Sequence, residues 1–373
     1  MTTVSPDRIE DVVAAVREHS RVVAHGARTK APLVAEEPGA LYIDTTRLRG
    51  VVEYDPGEFT FTALAGTPLS EIQALLAENG QHLPFDPPLA CAGATLGGTV
   101  AAAINGSGRL RFGGVRDFVI GVQFVDGTGK LVRGGGKVVK NAAGFDLPKL
   151  MVGSLGRLGV LIELSFKVFP APPAWRTIRV KCAGVEDAVT VMAELGRRPF
   201  DLEALDLEPP GTLVLRVSGD EAMLDVHAAR VGAATGRPFE VVAGADEEGY
   251  WQGLRDFAWA PQECWIAKVP LTLRRLPELE RVLAARDIAR RYAVAGNVAW
   301  LAWPVERPRT ELDLAGLSGL FVRGPALDGA SPWIGPTNVG AAIFARRVKD
   351  ALDPDGRFPP LVPDVRAVSA AAS

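Results

Sequence analysis

Gly93–Gly108 reads G-A-T-L-G-G-T-V-A-A-A-I-N-G-S-G, a run with no charge and no side chain larger than leucine or isoleucine. Glycine lets main-chain N–H groups face a ligand with no Cβ in the way. The V-A-A-A within it can run as a short helix whose N-terminus favours a phosphate. A tight turn into a closely packed helix would read the same way. Two further segments carry chemistry. One is H-G-A-R-T-K (His25–Lys30), where Arg28 and Lys30 are either solvated loop charges or phosphate contacts. The other is K-N-A-A-G-F-D-L-P-K-L-M-V-G-S-L-G-R-L-G-V-L-I-E (Lys140–Glu163), where Asp146 either belongs to a ligand site or caps a helix beginning at Leu147.

The common nucleotide motifs are not met. Gly134-Gly135-Gly136-Lys137 is followed by Val138, so no phosphate-binding G-x-x-x-x-G-K-[ST] is present, and no G-x-G-x-x-G opens a helix after an early strand. Gly153, Gly156 and Gly159 have a different spacing. The cysteines (Cys91, Cys182, Cys264) are odd in number and far apart, and cannot hold an iron–sulfur cluster. The histidines (His19, His25, His82, His227) show no metal-ligand spacing. No metal is expected.

The elements that must position these segments read as α+β. Ser5-Pro6 opens a helix striped by Ile9, Val12, Val13 and Val16; Val22–Ala24 and Leu41–Asp44 are strands. Val51–Tyr54 and Phe59–Leu64 form a hairpin, Phe118–Val125 and Lys130–Val132 another around D-G-T-G, and Val160–Val168 alternates cleanly. P-A-P-P (Pro170–Pro173) is a stiff linker, and all seven tryptophans lie beyond it. After it, Thr177–Cys182, Val185–Arg197, Leu202–Leu207, Leu213–Val217, Glu221–Thr235 and Phe239–Val242 give the ferredoxin-like order β-α-β-β-α-β. A strand near Trp265–Leu271, a helix near Leu276–Arg291 and a strand over Val294–Trp303 follow.

Apolar residues make up 47% of the 373-residue chain, charged residues 23%, and the net charge is −3, which points to neither nucleic acid nor an anionic membrane as partner. The N-terminus lacks the basic and apolar regions of a signal peptide, and no apolar run approaches the roughly 20 residues of a membrane span. A cytoplasmic location is expected, any membrane association coming through partner subunits.

Together, His25–Lys30, the glycine stretch preceded by Asp86-Pro87-Pro88, and Lys140–Glu163 resemble flavoproteins of the vanillyl-alcohol oxidase type, with a PCMH-type FAD-binding domain of two α+β subdomains. The resemblance covers Ser5 to about Pro170. T-L-G-G-T-V-A-A, G-G-V-R-D-F-V-I-G (Gly113–Gly121) and K-N-A-A-G-F-D-L narrow it to the FAD-binding E subunits of bacterial glycolate oxidases, which work beside a second flavin subunit and an iron–sulfur subunit. It implies flavin contacts at Gly26, Ala27, Arg28 and Thr29; at Pro88, Ala94, Thr95, Gly97 and Gly98; at Gly159 and Val160; and, near the flavin, at Asn141, Gly144 and Asp146. Some relatives bond a first-loop histidine covalently to the flavin; Arg28 stands about there, so the resemblance implies non-covalent FAD. It also implies three parts: an FAD-binding domain over 1–173, a ferredoxin-like cap over 174–335, and a segment over 336–366 returning to the first domain. In the returning segment the family's Asn-Pro-Gly is replaced by Pro359-Pro360-Leu361.

Oxidising a 2-hydroxy acid at a flavin needs a base near working pH and an arginine fork for the carboxylate. After Pro173 the one histidine is His227, inside a surface helix. Three readings follow. In the first, the chain is a flavin-binding subunit whose FAD relays electrons toward an iron–sulfur partner, the substrate being a small 2-hydroxy acid such as glycolate. In the second, it is a self-sufficient oxidase or dehydrogenase using a tyrosine (Tyr250 or Tyr292) or a carboxylate of the later domain. In the third, it is a structural subunit with an unfilled flavin site. Arg323-Gly324-Pro325 and Pro332–Asn338 are loops that could face a pocket.

Overall fold

In the computed structural model, residues 2–136, 145–336 and 338–361 are described; Asn141 and Gly144 lie outside them. Strands β1 (Thr2–Val4), β2 (Val22–His25) and β3 (Leu41–Asp44) form a parallel sheet in the order β1-β3-β2. Helix α1 (Ile9–Glu18) buries Val12 and Val16 against Val22, Leu41 and Ile43. It starts later than Ser5-Pro6 implies. Pairing of β1 keeps the chain extended, the Ser5 hydroxyl donates to Asp44 (3.4 Å), and Arg8 is the N-cap residue, without a side-chain cap.

The next layer contains β4 (Val51–Asp55), β5 (Thr60–Leu64), α2 (Leu69–Ala77), β6 (Gln81–His82), α3 (Leu96–Ala102), the one-turn helices α4 (Arg109–Phe112) and α5 (Val115–Phe118), β7 (Val119–Val125), β8 (Leu131–Gly135), α6 (Leu147–Met151), β9 (Val160–Lys167) and β10 (Phe169–Pro170). Five of these strands form an antiparallel sheet, β4-β5-β9-β7-β8. Alternation on β9 decides its packing. Val160 and Ile162 join the core shared with the first sheet, and Phe166 stacks on Phe61 with ring centroids 5.5 Å apart.

A nine-stranded sheet follows. Its elements are β11 (Ala174–Lys181), α7 (Val185–Leu195), β12 (Ala204–Glu208), β13 (Thr212–Gly219), α8 (Glu221–Ala233), β14 (Phe239–Val242), α9 (Gly244–Arg255), β15 (Cys264–Pro270), α10 (Leu276–Ala284), β16 (Ala289–Ala293), β17 (Val298–Pro304), β18 (Gly319–Arg323) and β19 (Trp333–Ile334). The order is β14-β11-β13-β12-β16-β17-β15-β18-β19. Strands β11 to β14 carry the β-α-β-β-α-β order read from the sequence. Strands β15 to β18 repeat the same neighbour relations without a second long helix, and the halves join where Leu207 pairs with Tyr292. The helix expected over Leu276–Arg291 ends at Ala284. Asp287 turns the chain at φ +54°, and Arg290 and Arg291 enter β16.

Helix α11 (Val339–Leu352) brings the chain back to the first layer. The Lys349 ammonium donates to the Arg157 carbonyl (2.7 Å), to Asp353 (2.5 Å) and to the Phe358 carbonyl (3.0 Å). Arg157 donates to the Pro360 carbonyl (2.8 Å), and the Val22 N–H donates to the Arg357 carbonyl (2.8 Å). Gly127 receives this clasp, since a Cβ there would lie 2.1 Å from the Asp353 carboxylate.

Candidate functional site

The loop after β2, the start of α3 and the turn before β9 are far apart in sequence and line one cleft of about 700 Å³, open at its mouth. Gly26, Ala27, Arg28, Thr29, Thr95, Gly97, Gly98 and Gly159 all face it, together with Lys30, Ala101, Ala102, Leu155, Gly156 and Leu161. The backbones meet too closely for larger residues. A Cβ on Gly26 would sit 2.4 Å from Thr95 Oγ1, and one on Gly97 2.8 Å from Ala65 Cβ. Thr95 caps α3 by accepting from the Gly98 N–H (3.2 Å).

The polar groups of the cleft are left unmet. Arg28 is exposed, holds φ +55° and places its guanidinium 5.5 Å from the Tyr42 ring centroid. Among the described residues, the N–H groups of Ala27, Arg28 and Thr29 donate to no protein acceptor, an anion-binding concavity of main-chain donors. Lys30 is only 7% exposed and has no ion pair or hydrogen-bond partner for its ammonium among the described residues. Burial pulls it down to about 8. His25 Nδ1 donates to the Gly26 carbonyl (2.8 Å), which makes Nε2 the acceptor; Nε2 is buried and meets no donor. Burial lowers the His25 pKa. A neutral acceptor, a buried cation and three free N–H groups complement a ligand carrying hydroxyls and phosphates. A narrow floor of glycine and alanine suits a long, flat one. FAD has both features, and these residues fit it.

The other expected contacts lie elsewhere. Ala94 is a core residue whose N–H donates to Leu89 and whose carbonyl accepts from Leu69. Val160 is buried opposite Val125, and the cleft is faced by its neighbour Leu161. Asp146 caps α6, accepting from the Lys149 N–H (3.2 Å). Pro88 lines a separate cavity of about 440 Å³. Leu161 was legible as the opposite face of an alternating strand; Ala101 and Ala102 carried no signal beyond small size.

A larger cavity, about 1550 Å³, lies between Gln81–Asp86 and α9, but its arginines Arg216 and Arg255 are paired with Glu247 and Asp86. Of the groups considered for proton transfer, His227 is half-buried on α8. Tyr292 is fully buried and donates to Glu280 (2.8 Å); Tyr250 donates to Glu208 (2.7 Å). Burial raises the pKa of both. The loop at Gly324 packs on Trp265, and the Pro332 carbonyl accepts from the Phe321 N–H (2.9 Å), so both candidate loops brace the sheet. Asp206 is different. It lines the cavity beside Pro88 and accepts from the Ser107 hydroxyl and the Val294 N–H (3.1 Å); burial raises it to about 7. Among the described residues no group of histidine, cysteine and carboxylate side chains could hold a metal, and no helix is long and apolar enough to cross a membrane.

A family model described as an FAD binding domain matches residues 2–135. Glycolate oxidase subunit GlcE of Escherichia coli K12 is 34% identical over 355 residues, covering 94% of this chain and 95% of that protein. D-2-hydroxyglutarate dehydrogenase of Xanthomonas citri pv. viticola is 28% identical over 70% of this chain and 55% of its own length. Glycolate oxidase subunit GlcD of Bacillus subtilis is 30% identical over 45% of this chain and 36% of its own length. A solved structure of alkyldihydroxyacetonephosphate synthase aligns with a TM-score of 0.68 at 16% identity, over 96% of this chain and 75% of that one, which shows a shared fold.

Proposed function

The chain belongs to the FAD-binding protein family that includes glycolate oxidase subunit GlcE, and on that premise we propose that it is the FAD-binding subunit of a glycolate oxidase-type 2-hydroxyacid oxidoreductase complex. FAD held by this chain would supply the electron relay toward an iron–sulfur partner, beside a second flavin subunit that oxidises glycolate. The observation that carries the reading is Lys30, a buried cation without a partner among the described residues in a cleft of glycine and alanine. Residues 1–173 are the FAD-binding domain, 174–335 the ferredoxin-like cap and 336–366 the returning segment.

FAD, when bound, supplies reversible two-electron chemistry. The chain's own residues hold it without a covalent bond. Lys30 and the N–H groups of Ala27, Arg28 and Thr29 would hold the pyrophosphate, with Gly26, Gly97, Gly98 and Gly159 allowing the approach. His25 Nε2 accepts from a hydroxyl. Leu155 and Leu161 exclude water. Pro88, Ala94 and Val160 support the loops, Asp146 caps α6, and Asn141 and Gly144, outside the described residues, are kept as candidate contacts by the resemblance alone. The relay reading is supported by the state of the proton-transfer candidates, since Tyr250 and Tyr292 are tied up in carboxylate pairs. Asp206, a buried carboxyl near neutrality beside Arg255 and Arg291, is the observation favouring the self-sufficient reading.

Purification of the tagged chain alone and co-expressed with its partners, followed by absorbance scans and glycolate-dependent dye reduction, tests this. The expected result is a flavin spectrum in the lone chain, activity only in the complex, and iron–sulfur absorbance in the complex. Equal activity from the lone chain, abolished by Asp206→Asn, would establish the second reading instead.

A further inference from the structure

We propose that two copies of this chain pair through the free edge of β14, joining their nine-stranded sheets across a two-fold axis. The two edges of the sheet are built differently. At one, β19 has only two residues, with Pro332 before it and Gly335-Pro336 after it. A short strand flanked by proline is blunted against further pairing. At the other, β14 reads F-E-V-V and is exposed along Phe239, Glu240 and Val241. It pairs with β11 alone, and beside it the Lys181 N–H donates to the Pro238 carbonyl (2.9 Å). In an antiparallel ladder, residues that bond to the neighbouring strand alternate with residues that face away from it. Pro238, Glu240 and Val242 therefore face β11, and the N–H and C=O groups of Phe239 and Val241 point out from the edge. Among the described residues, none of these four groups meets a protein partner. The N–H that Pro238 lacks is on the β11 side, so this proline does not blunt the edge.

This edge is complementary to itself. A second β14 laid antiparallel about a two-fold at Glu240 sets Phe239 opposite Val241 of the second copy, and Val241 opposite its Phe239. Each of these pairs exchanges two N–H···O bonds, so every outward group of both edges is met. The side chains agree with that register. Phe239 and Val241 are 38% and 39% exposed, on the face of the sheet that carries α8. They stand beside Val180 and Ile178, which belong to the core that α8 covers, and the Phe239 ring closes on Gly232 of that helix. At 100° per residue, the flank of α8 that continues from Gly232 away from the core is Ala229, Ala233 and Val226, all exposed and uncharged. Joining the edges brings the apolar groups of both copies side by side. On the opposite face the pairing sets the two Glu240 carboxylates across from each other, each with its own Arg179 (3.5 Å) to offset the like charge. Phe239–Val242 turns neither a lysine nor a proline against a copy of itself.

The pairing does not depend on what the cleft binds. Sedimentation velocity of the full chain over a concentration series tests it with two variants at one residue. Val241→Pro removes an outward N–H and breaks no bond to β11. Val241→Lys puts a charge where the two copies meet. The expected result is twice the mass of one chain for the unaltered protein and the mass of one chain for both variants, each with the circular dichroism spectrum of the unaltered chain. Glu240→Gln, which removes the facing carboxylates, keeps the dimer. An unaltered chain that stays at the mass of one chain at every concentration overturns the proposal, and so does a dimer that both variants leave intact. A single chain whose Val241→Pro variant no longer co-purifies with its partner subunits also overturns it, and gives the edge to one of those subunits instead.

Discussion

The cleft and the arginine clusters of the cap treat buried charge in opposite ways. In the cap, Arg216 grips Glu247 through two nitrogens (2.7 and 3.1 Å) between the rings of Trp175 and Trp251. Arg290 and Tyr292 share Glu280, and Arg291 and Tyr250 share Glu208. In the cleft, Lys30 is equally buried and its ammonium meets no partner among the described residues. A buried charge without a partner is costly in a folded chain. Cap charges with partners are structure; a cleft charge without one is a place kept for a ligand.

Three substitutions probe this contrast. Glu280→Ala leaves Arg290 and the buried Tyr292 hydroxyl without their acceptor. A loss of about 3–5 kcal/mol in unfolding free energy is expected, read from urea unfolding, with FAD affinity of the folded fraction unchanged. A loss below about 1 kcal/mol would remove the cap's side of the comparison. Lys30→Met should do the reverse. Unliganded stability holds or rises, while FAD affinity falls about 10–100-fold, the worth of a charge-assisted hydrogen bond. Fluorescence titration measures the second and thermal melting the first; a Lys30→Met chain that binds FAD normally but melts lower would make Lys30 structural.

Asp206 gives the finest test, because it is a buried group with partners in both layers. Its ordinary value is 3.8 and burial raises it to about 7. Between those values the folded chain keeps a proton that the unfolded chain has released, so this contribution to stability falls as pH rises through the window. Asp206→Asn does not titrate. The urea midpoint of the unaltered chain should therefore drop relative to Asp206→Asn between pH 4.5 and 7.5. A constant difference would mean that Asp206 stays ionised.

The three cleft segments were legible before the fold because glycine spacing reports where backbones must approach. The order of β11 to β14 was legible because alternation and helical stripes are local. The burial of Lys30 was not, since it arises only when segments distant in sequence converge on it. The second half of the cap hid its kinship with the first because its second crossover helix is missing. The end of α10 was hidden too: A-A-R-D-I-A-R-R has helical composition, and the turn falls on Asp287 with neither glycine nor proline to announce it. Ala94 and Val160 show the converse limit, as small apolar residues in a ligand loop and in a core are written alike.

The clasp of Lys349 on the Arg157 carbonyl joins residues 192 positions apart. During synthesis the first layer emerges long before this partner. Until Lys349 and Arg357 leave the ribosome, the turn at Leu155–Gly159 lacks its brace and the start of β2 lacks the Arg357 carbonyl. Bracing of this turn therefore waits for the last helix, so a chain terminated before Val339 would carry the cleft's sequence without this brace.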